Sequence, residues 1–302
     1  MWYRVGEGAV GITCAAGTQQ GCVFGSCLFA LAIQEALLWL RGEADFAVAI
    51  ADDISFAARP EEAARILDGL TERLAVVGGQ VHLAKCAALM LGDEERVPQE
   101  LRDRGLRCVD YTTLLEAAGG DGPVKQRLGV PYLGVGVGMD AYLRAQLTAQ
   151  LERPPPPDEL SGATEEELEA WETTEYFEEG RGSELRRALW CLRQLAPIHL
   201  QCAVQLLRRC VLPRFDYLLR CLWPGLTRDA AAAFDDLAAD CVWDMLAVPR
   251  QPRDSPAAQL LRLPLRCGGA GVCSRALVQR FAFAAASVDS HALLAALAAS
   301  RA

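Results

Sequence analysis

Two adjacent carboxylates, Asp52 and Asp53, stand between the apolar runs Phe46–Ile50 and Ile54–Ala57. Runs rich in Val, Ile and Phe favour strands and aspartate favours turns, so the stretch predicts a β-hairpin with both acids at its tip. A carboxylate pair raised on a rigid turn is a seat for Mg²⁺, which takes one or two carboxylates and substrate phosphate oxygens. Adjacent acids in a surface turn are as often simply solvated, and a dipeptide carries little specificity alone. Its neighbours along the chain give it meaning.

Upstream, Gly17-Thr18-Gln19-Gln20-Gly21 and Gly25-Ser26 lead into an apolar helix from Leu28. Glycines there let backbone approach a ligand closely, and the Gln20 amide offers donors and an acceptor to a base edge, sugar or phosphate. Downstream stand Gly78-Gly79-Gln80-Val81-His82-Leu83-Ala84-Lys85 and later Tyr132-Leu133-Gly134-Val135. Each segment has a plain reading as well: a strand-to-helix turn, a solvated turn lysine, a strand whose glycines mark a bulge.

Taken in order, these four segments resemble the palm of reverse transcriptases of the non-LTR retrotransposon type. The family's series is a Gln-Gly loop, an Ala-Asp-Asp hairpin, a glycine-to-lysine segment and a Leu-Gly strand. The resemblance covers residues 10 to 140, and more weakly Arg208 to Pro224 and Gly268-Gly269-Ala270-Gly271. It implies RNA-directed DNA polymerase activity, a nucleotidyl transfer in which a DNA primer 3′-hydroxyl attacks the α-phosphate of a dNTP on an RNA template. Two Mg²⁺ ions would stabilise the attacking and leaving oxygens. It further implies catalytic and metal-holding roles for Asp52 and Asp53. Lys85 would stand near the departing pyrophosphate, and Gln20 and Gly21 beside template and incoming nucleotide.

The departures from the family pattern are specific. No aspartate precedes Asp45, although the palm needs one on a strand before the Gln-Gly loop, and Glu7 is the only acid before Gly17. Cys22-Val23-Phe24 follows Gly21 where the family has Asp or Ser, then Pro, then Leu, and Ile50 replaces a common aromatic. The fingers that normally precede the palm are also missing. The expectation is an N-terminally truncated, retrotransposon-derived polymerase fragment, inactive alone, with a non-catalytic nucleic-acid-binding or interaction remnant as the alternative.

Charge is distributed in blocks. The chain of 302 residues carries a formal net charge of −9, yet ten acids and no base lie between Asp158 and Glu179. Arg181 to Arg220 holds eight arginines against Glu184 and Asp216. A basic helical stretch attracts phosphate backbones by counterion release, and Arg186, Arg187, Arg208 and Arg209 are the candidate backbone contacts. Arginines that merely solvate two helix faces would look the same. The 12 cysteines lack paired Cys-x-x-Cys spacing, which argues for reduced core thiols in an intracellular protein. No membrane span or export signal is expected. A nuclear site of action follows from the resemblance alone.

The positioning elements read as α+β: a partial palm, an antiparallel sheet packed on helices, then a helical thumb-like and C-terminal region. The expected divisions are 1–150 for the palm, 151–182 for a Pro-rich acidic insert, 183–226 for the basic thumb-like helices and 227–302 for a C-terminal helical region. Strands are expected near Val10–Cys14, Gln80–Leu83 and Cys86–Leu91, with an edge strand in Gly129–Gly138. The first helix should bury Leu28, Leu31, Leu38 and Trp39, and a helix from Pro60 should bury Ile66, Leu67, Leu70, Leu74 and Val77. Thr164 to Trp171 should form a short capped helix in the insert. The basic stretch should form two helices broken near Pro197, and Pro213 should kink or end the second.

Overall fold

A computed structural model describes residues 24–92, 95–119, 124–152, 164 and 184–299, together with the backbone strands β1 (Trp2–Val5) and β2 (Gly8–Gly11). The acidic insert, including its expected helix, lies outside the described residues apart from Thr164. The chain divides into two compact units, 1–120 and 121–302.

In the first unit β1 and β2 pair antiparallel, so the strand expected near Val10–Cys14 lies earlier and has a partner. Helix α1 (Gly25–Glu43) leads to the hairpin β3 (Phe46–Ile50) and β4 (Asp53–Ala57). Helix α2 (Pro60–Val76) opens as proline and early acids dictate, with Pro60 in the first turn followed by Glu61 and Glu62. It closes on Gly78 at φ +77°, where Gly79 N–H donates to Leu74 O at 2.8 Å and Gly78 N–H to Ala75 O at 3.0 Å. That pair of bonds is a Schellman cap, which requires the left-handed residue glycine tolerates. Ile33, Ala36 and Leu40 of α1 bury against Ile66, Leu70 and Leu74 of α2, with Ala47, Ile54 and Phe56 of the hairpin packed on them.

The face of α1 differs from expectation. Leu28, Leu31 and Leu38 are 52%, 60% and 59% exposed, and only Trp39 of that stripe packs on the core. The helix is apolar on more than one side, so spacing marks a helix without choosing which side meets α2. In α2, where charge alternates with the apolar stripe, the expected face is the buried one, except for Val77 at the cap.

No strand forms over Gln80–Leu83. A 3-10 turn, Leu83–Lys85, precedes the short β5 (Ala87–Leu89), which pairs parallel with β6 (Arg107–Val109) across α3 (Gln99–Asp103). Helix α4 (Tyr111–Ala117) follows on the N-cap Asp110, whose carboxylate accepts from Thr113 N–H at 2.8 Å and Val97 N–H at 3.1 Å.

The second unit begins with a hairpin in place of the single edge strand expected in Gly129–Gly138. β7 (Gly129–Tyr132) and β8 (Val135–Gly138) turn through Leu133 at φ +49° and Gly134 at φ +81°, two left-handed residues that match the twist of a two-residue hairpin. Its glycines are there for space. A Cβ on Gly129 would lie 2.2 Å from the Tyr142 ring of α5 (Asp140–Leu151), and one on Gly136 would lie 2.9 Å from Leu143.

Helix α6 (Glu184–Leu206) is kinked at His199, two residues past Pro197, whose ring and missing N–H interrupt the ladder. A π-helical turn, Leu207–Val211, then widens the helix just before Pro213, which sits in the first turn of α7 (Leu212–Cys221). The two prolines therefore redirect the basic helices without ending them in loops. Helices α8 (Pro224–Met245), α9 (Pro256–Arg262) and α10 (Arg275–Ala299) complete the unit. Phe215 and Phe234, both fully buried, stack with centroids 4.4 Å apart at the centre of the core. The fold is α+β, with small two-stranded sheets and a helical C-terminal region.

Candidate functional site

The hairpin presents its acids as the apolar alternation requires. Ile50 pairs with Asp53 across a two-residue loop of Ala51 and Asp52. Ala51 has φ +55°, the conformation that primed turns demand at this position and that an L-residue adopts at a cost of about 1–2 kcal/mol. Ala47, Ile54 and Phe56 face the helices, so the opposite face carries Phe46, Val48, Ile50, Asp53 and Ser55. Asp52 and Asp53 are exposed, and among the described residues neither is held by an ion pair. Two hard carboxylates on adjacent residues, open to solvent, fit a divalent cation that completes its shell with water and phosphate oxygens. Among the described residues no group of three His, Cys, Asp or Glu side chains forms a fuller ligand set.

Lys85 closes the Leu83–Lys85 turn, its N–H donating to His82 O at 2.8 Å and its side chain exposed. Leu83 and Val81 anchor that turn on the same α2 helix that supports the hairpin, through Ala64 and Leu67. Gln20 and Gly21 lie outside the described residues.

The four arginines separate into two pairs. Arg186 is half-buried and donates to Leu151 O at 2.7 Å, tying α6 to the end of α5, and Arg187 is also half-buried and engaged. Arg208 and Arg209, on the π turn, line a cleft of about 330 Å³ with Asp216, Arg220, Gly271 and Arg275. Arg275 is fixed, donating to both Asp216 oxygens at 2.9 and 3.0 Å and to Cys273 O at 2.6 Å. The α10 N-terminus beside it is occupied by Asp235, which accepts from Ser274 Oγ at 2.6 Å, Arg275 N–H at 2.7 Å and Ala276 N–H at 3.1 Å.

Sequence reading put Arg220 in the basic stretch and Gly271 in a family-like segment without assigning either to a site, and it missed Arg275. A signal for Arg220 existed, since Arg208, Leu212, Asp216 and Arg220 recur every four residues along one helix face. Arg275 is 59 residues from Asp216, and nothing local announces their meeting.

Residues 1–137 match the family model described as reverse transcriptase (RNA-dependent DNA polymerase). These residues, under half of the chain, are similar to the reverse transcriptase family. The match contains the carboxylate hairpin, Lys85 and the Leu133–Gly134 turn, whereas all four candidate arginines follow it. No curated protein and no solved structure matches the chain. The reverse transcriptase family uses divalent metal and binds template, primer and dNTP. Among the described residues no helix is long and apolar enough to cross a membrane.

Proposed function

We propose that residues 1–150 are part of a polymerase palm of non-LTR retrotransposon ancestry, in which Asp52 and Asp53 hold Mg²⁺ for RNA-directed nucleotidyl transfer. The carrying observation is the pair of exposed carboxylates at the tip of a hairpin braced on α2, inside the segment similar to the reverse transcriptase family. Lys85 serves the leaving pyrophosphate, and Gln20 and Gly21 the template and nucleotide. The bound metal supplies charge neutralisation at the attacking and leaving oxygens. The chain's own part is to hold two carboxylates side by side at the tip of a hairpin packed on α1 and α2. Residues 183–226 act as a thumb-like region, 227–302 follow as its helical support, and 151–182 is an acidic insert that repels phosphate. On this reading the chain acts on nucleic acid inside the cell, and the lineage suggests the nucleus.

The 302-residue chain has no aspartate ahead of Asp45 to join the hairpin pair, so we expect no primer extension from it alone. Extension of a DNA primer on an RNA template with Mg²⁺, measured for the chain and for Asp52→Asn, tests this. Extension that Asp52→Asn abolishes would establish turnover and overturn the expected inactivity. Extension that survives the substitution would remove the hairpin from the chemistry. A second reading, a non-catalytic nucleic-acid-binding remnant, is favoured by the uncompensated arginines of the second unit. It requires salt-dependent binding of an RNA–DNA duplex without extension.

A further inference from the structure

The glycine-rich segment at Gly268–Gly271 and the basic π turn are 60 residues apart in the chain and meet at one cleft. Gly271 has φ +73°, and a Cβ built on it would fall 3.1 Å from Arg208 Nε and 3.4 Å from its Cζ. The Arg208 guanidinium therefore packs close to the bare backbone of Gly271. Gly269 admits the same closeness on the other side of the segment, where a Cβ would stand 2.1 Å from Leu263 O. Glycine at these positions follows from steric need, and at Gly271 what it makes room for is a cation.

The cleft's charges do not cancel. Arg275 and Asp216 neutralise each other in a bidentate pair, and the Arg275 side chain is 7% exposed. Among the described residues Arg220 pairs with Asp289, at 3.7 Å with both side chains more than half exposed, a pair worth little in water. Arg208 and Arg209 have no hydrogen bond or ion pair among the described residues. Three guanidiniums thus remain available on one wall, with Arg275 fixed behind them. The rest of the lining, Leu212, Cys273, Val278 and Ala282, offers neither an aromatic face for stacking nor an amide side chain for reading a base edge.

Length selects the ligand. Arg208 and Arg220 are 12 residues apart on a helical face, so the row spans on the order of 18 Å at 1.5 Å per residue. That is several times the extent of one phosphate group, while a nucleic-acid strand presents a charge about every 3.4 Å along a duplex axis.

We propose that this cleft is a sequence-independent track for the phosphates of a nucleic-acid strand, with Arg208, Arg209 and Arg220 as its cations and Gly271 as the positioning residue that seats Arg208. The proposal deepens the nucleic-acid reading above and rests on it only for the choice of a chained phosphate over a free one.

The test is fluorescence anisotropy of a labelled RNA–DNA duplex with the full chain over a series of KCl concentrations. Arg209→Ala and Arg220→Ala, both at exposed positions, should each weaken binding about 3- to 10-fold at low salt and reduce the slope of log K against log[salt] by about 0.9. Arg280→Ala, outside the cleft, should leave the slope in place. Arg208→Ala should match them, and Gly271→Ala should reproduce the Arg208→Ala slope with no further loss in the double variant. If Gly271→Ala fails to fold, Arg208→Ala still decides whether that cation is used. An unchanged slope for the arginine variants, or an equal loss for Arg280→Ala, overturns the track. Inorganic phosphate is titrated against the bound duplex at matched ionic strength. Failure to displace it supports a chained ligand, and full displacement overturns that choice. The readout is binding, so absence of primer extension leaves the proposal standing while counting against turnover.

Discussion

Asp110 is a buried acid on which several polar contacts of the first unit converge. Its carboxylate is fully buried and accepts from Val97 N–H, Thr113 N–H and Arg102, which also donates to the Thr113 hydroxyl. Burial alone would raise its pKa, but the bonds from the Thr113 backbone and side chain and from Val97, with the Arg102 charge, outweigh it and hold it below the ordinary aspartate value. A depressed folded-state pKa adds stability above the unfolded value, lost as pH falls through the folded one. Asp110→Asn should therefore cost about 1–3 kcal/mol at neutral pH by removing the buried carboxylate that pairs with the half-buried Arg102. The difference between variant and parent in urea melts should shrink steadily as the pH is lowered into the acid range. Cys241 is the opposite case: burial pushes its thiol up to about 11, so thiol-specific reagents should modify it only on unfolding. Most cysteines among the described residues are exposed rather than in the core as their spacing suggested, and thiols such as Cys202 and Cys210 should react in the native protein.

At the scale of elements, the β3–β4 and β7–β8 hairpins share a weakness in their turns. Leu133 and Ala51 both occupy left-handed backbone that glycine or asparagine fills more cheaply. Ala51→Gly and Leu133→Asn should each gain about 0.5–1 kcal/mol in chemical denaturation. A loss at Ala51 would show that the turn backbone is supported by contacts beyond its own strands. The converse holds at Gly129, where any side chain meets the Tyr142 ring, so Gly129→Ala should cost about 1–3 kcal/mol. The β3–β4 hairpin and α2 were legible because alternation, proline and terminal glycines each act over a few residues. The β7–β8 hairpin was read as one strand because Leu133 is an unusual residue for a left-handed turn position. Tyr217 Oη, donating to Leu133 O at 2.9 Å from α7, gives that turn support that no local pattern announces.

For the whole molecule, charge location matters more than its sum. The net −9 conceals a cleft that is positive in the second unit and ten acids between Asp158 and Glu179. Deleting residues 158–179 should tighten duplex binding several-fold at low salt, and the gain should vanish near 1 M, where the screening length is about 3 Å. A gain that persisted at high salt would mean that the insert blocks the site physically. The sequence by itself determined the order of family segments, the carboxylate hairpin, the inner stripe of α2 and the two prolines, Pro197 and Pro213, near which the basic helices are redirected. These depend on residue type over one or two turns of chain. Only the tertiary structure decided which side of α1 is covered, which arginines brace helices and which face the cleft, and that Gly271 backs Arg208. Each of those depends on contacts between residues far apart in the chain, and the free energy of such contacts has no local signature.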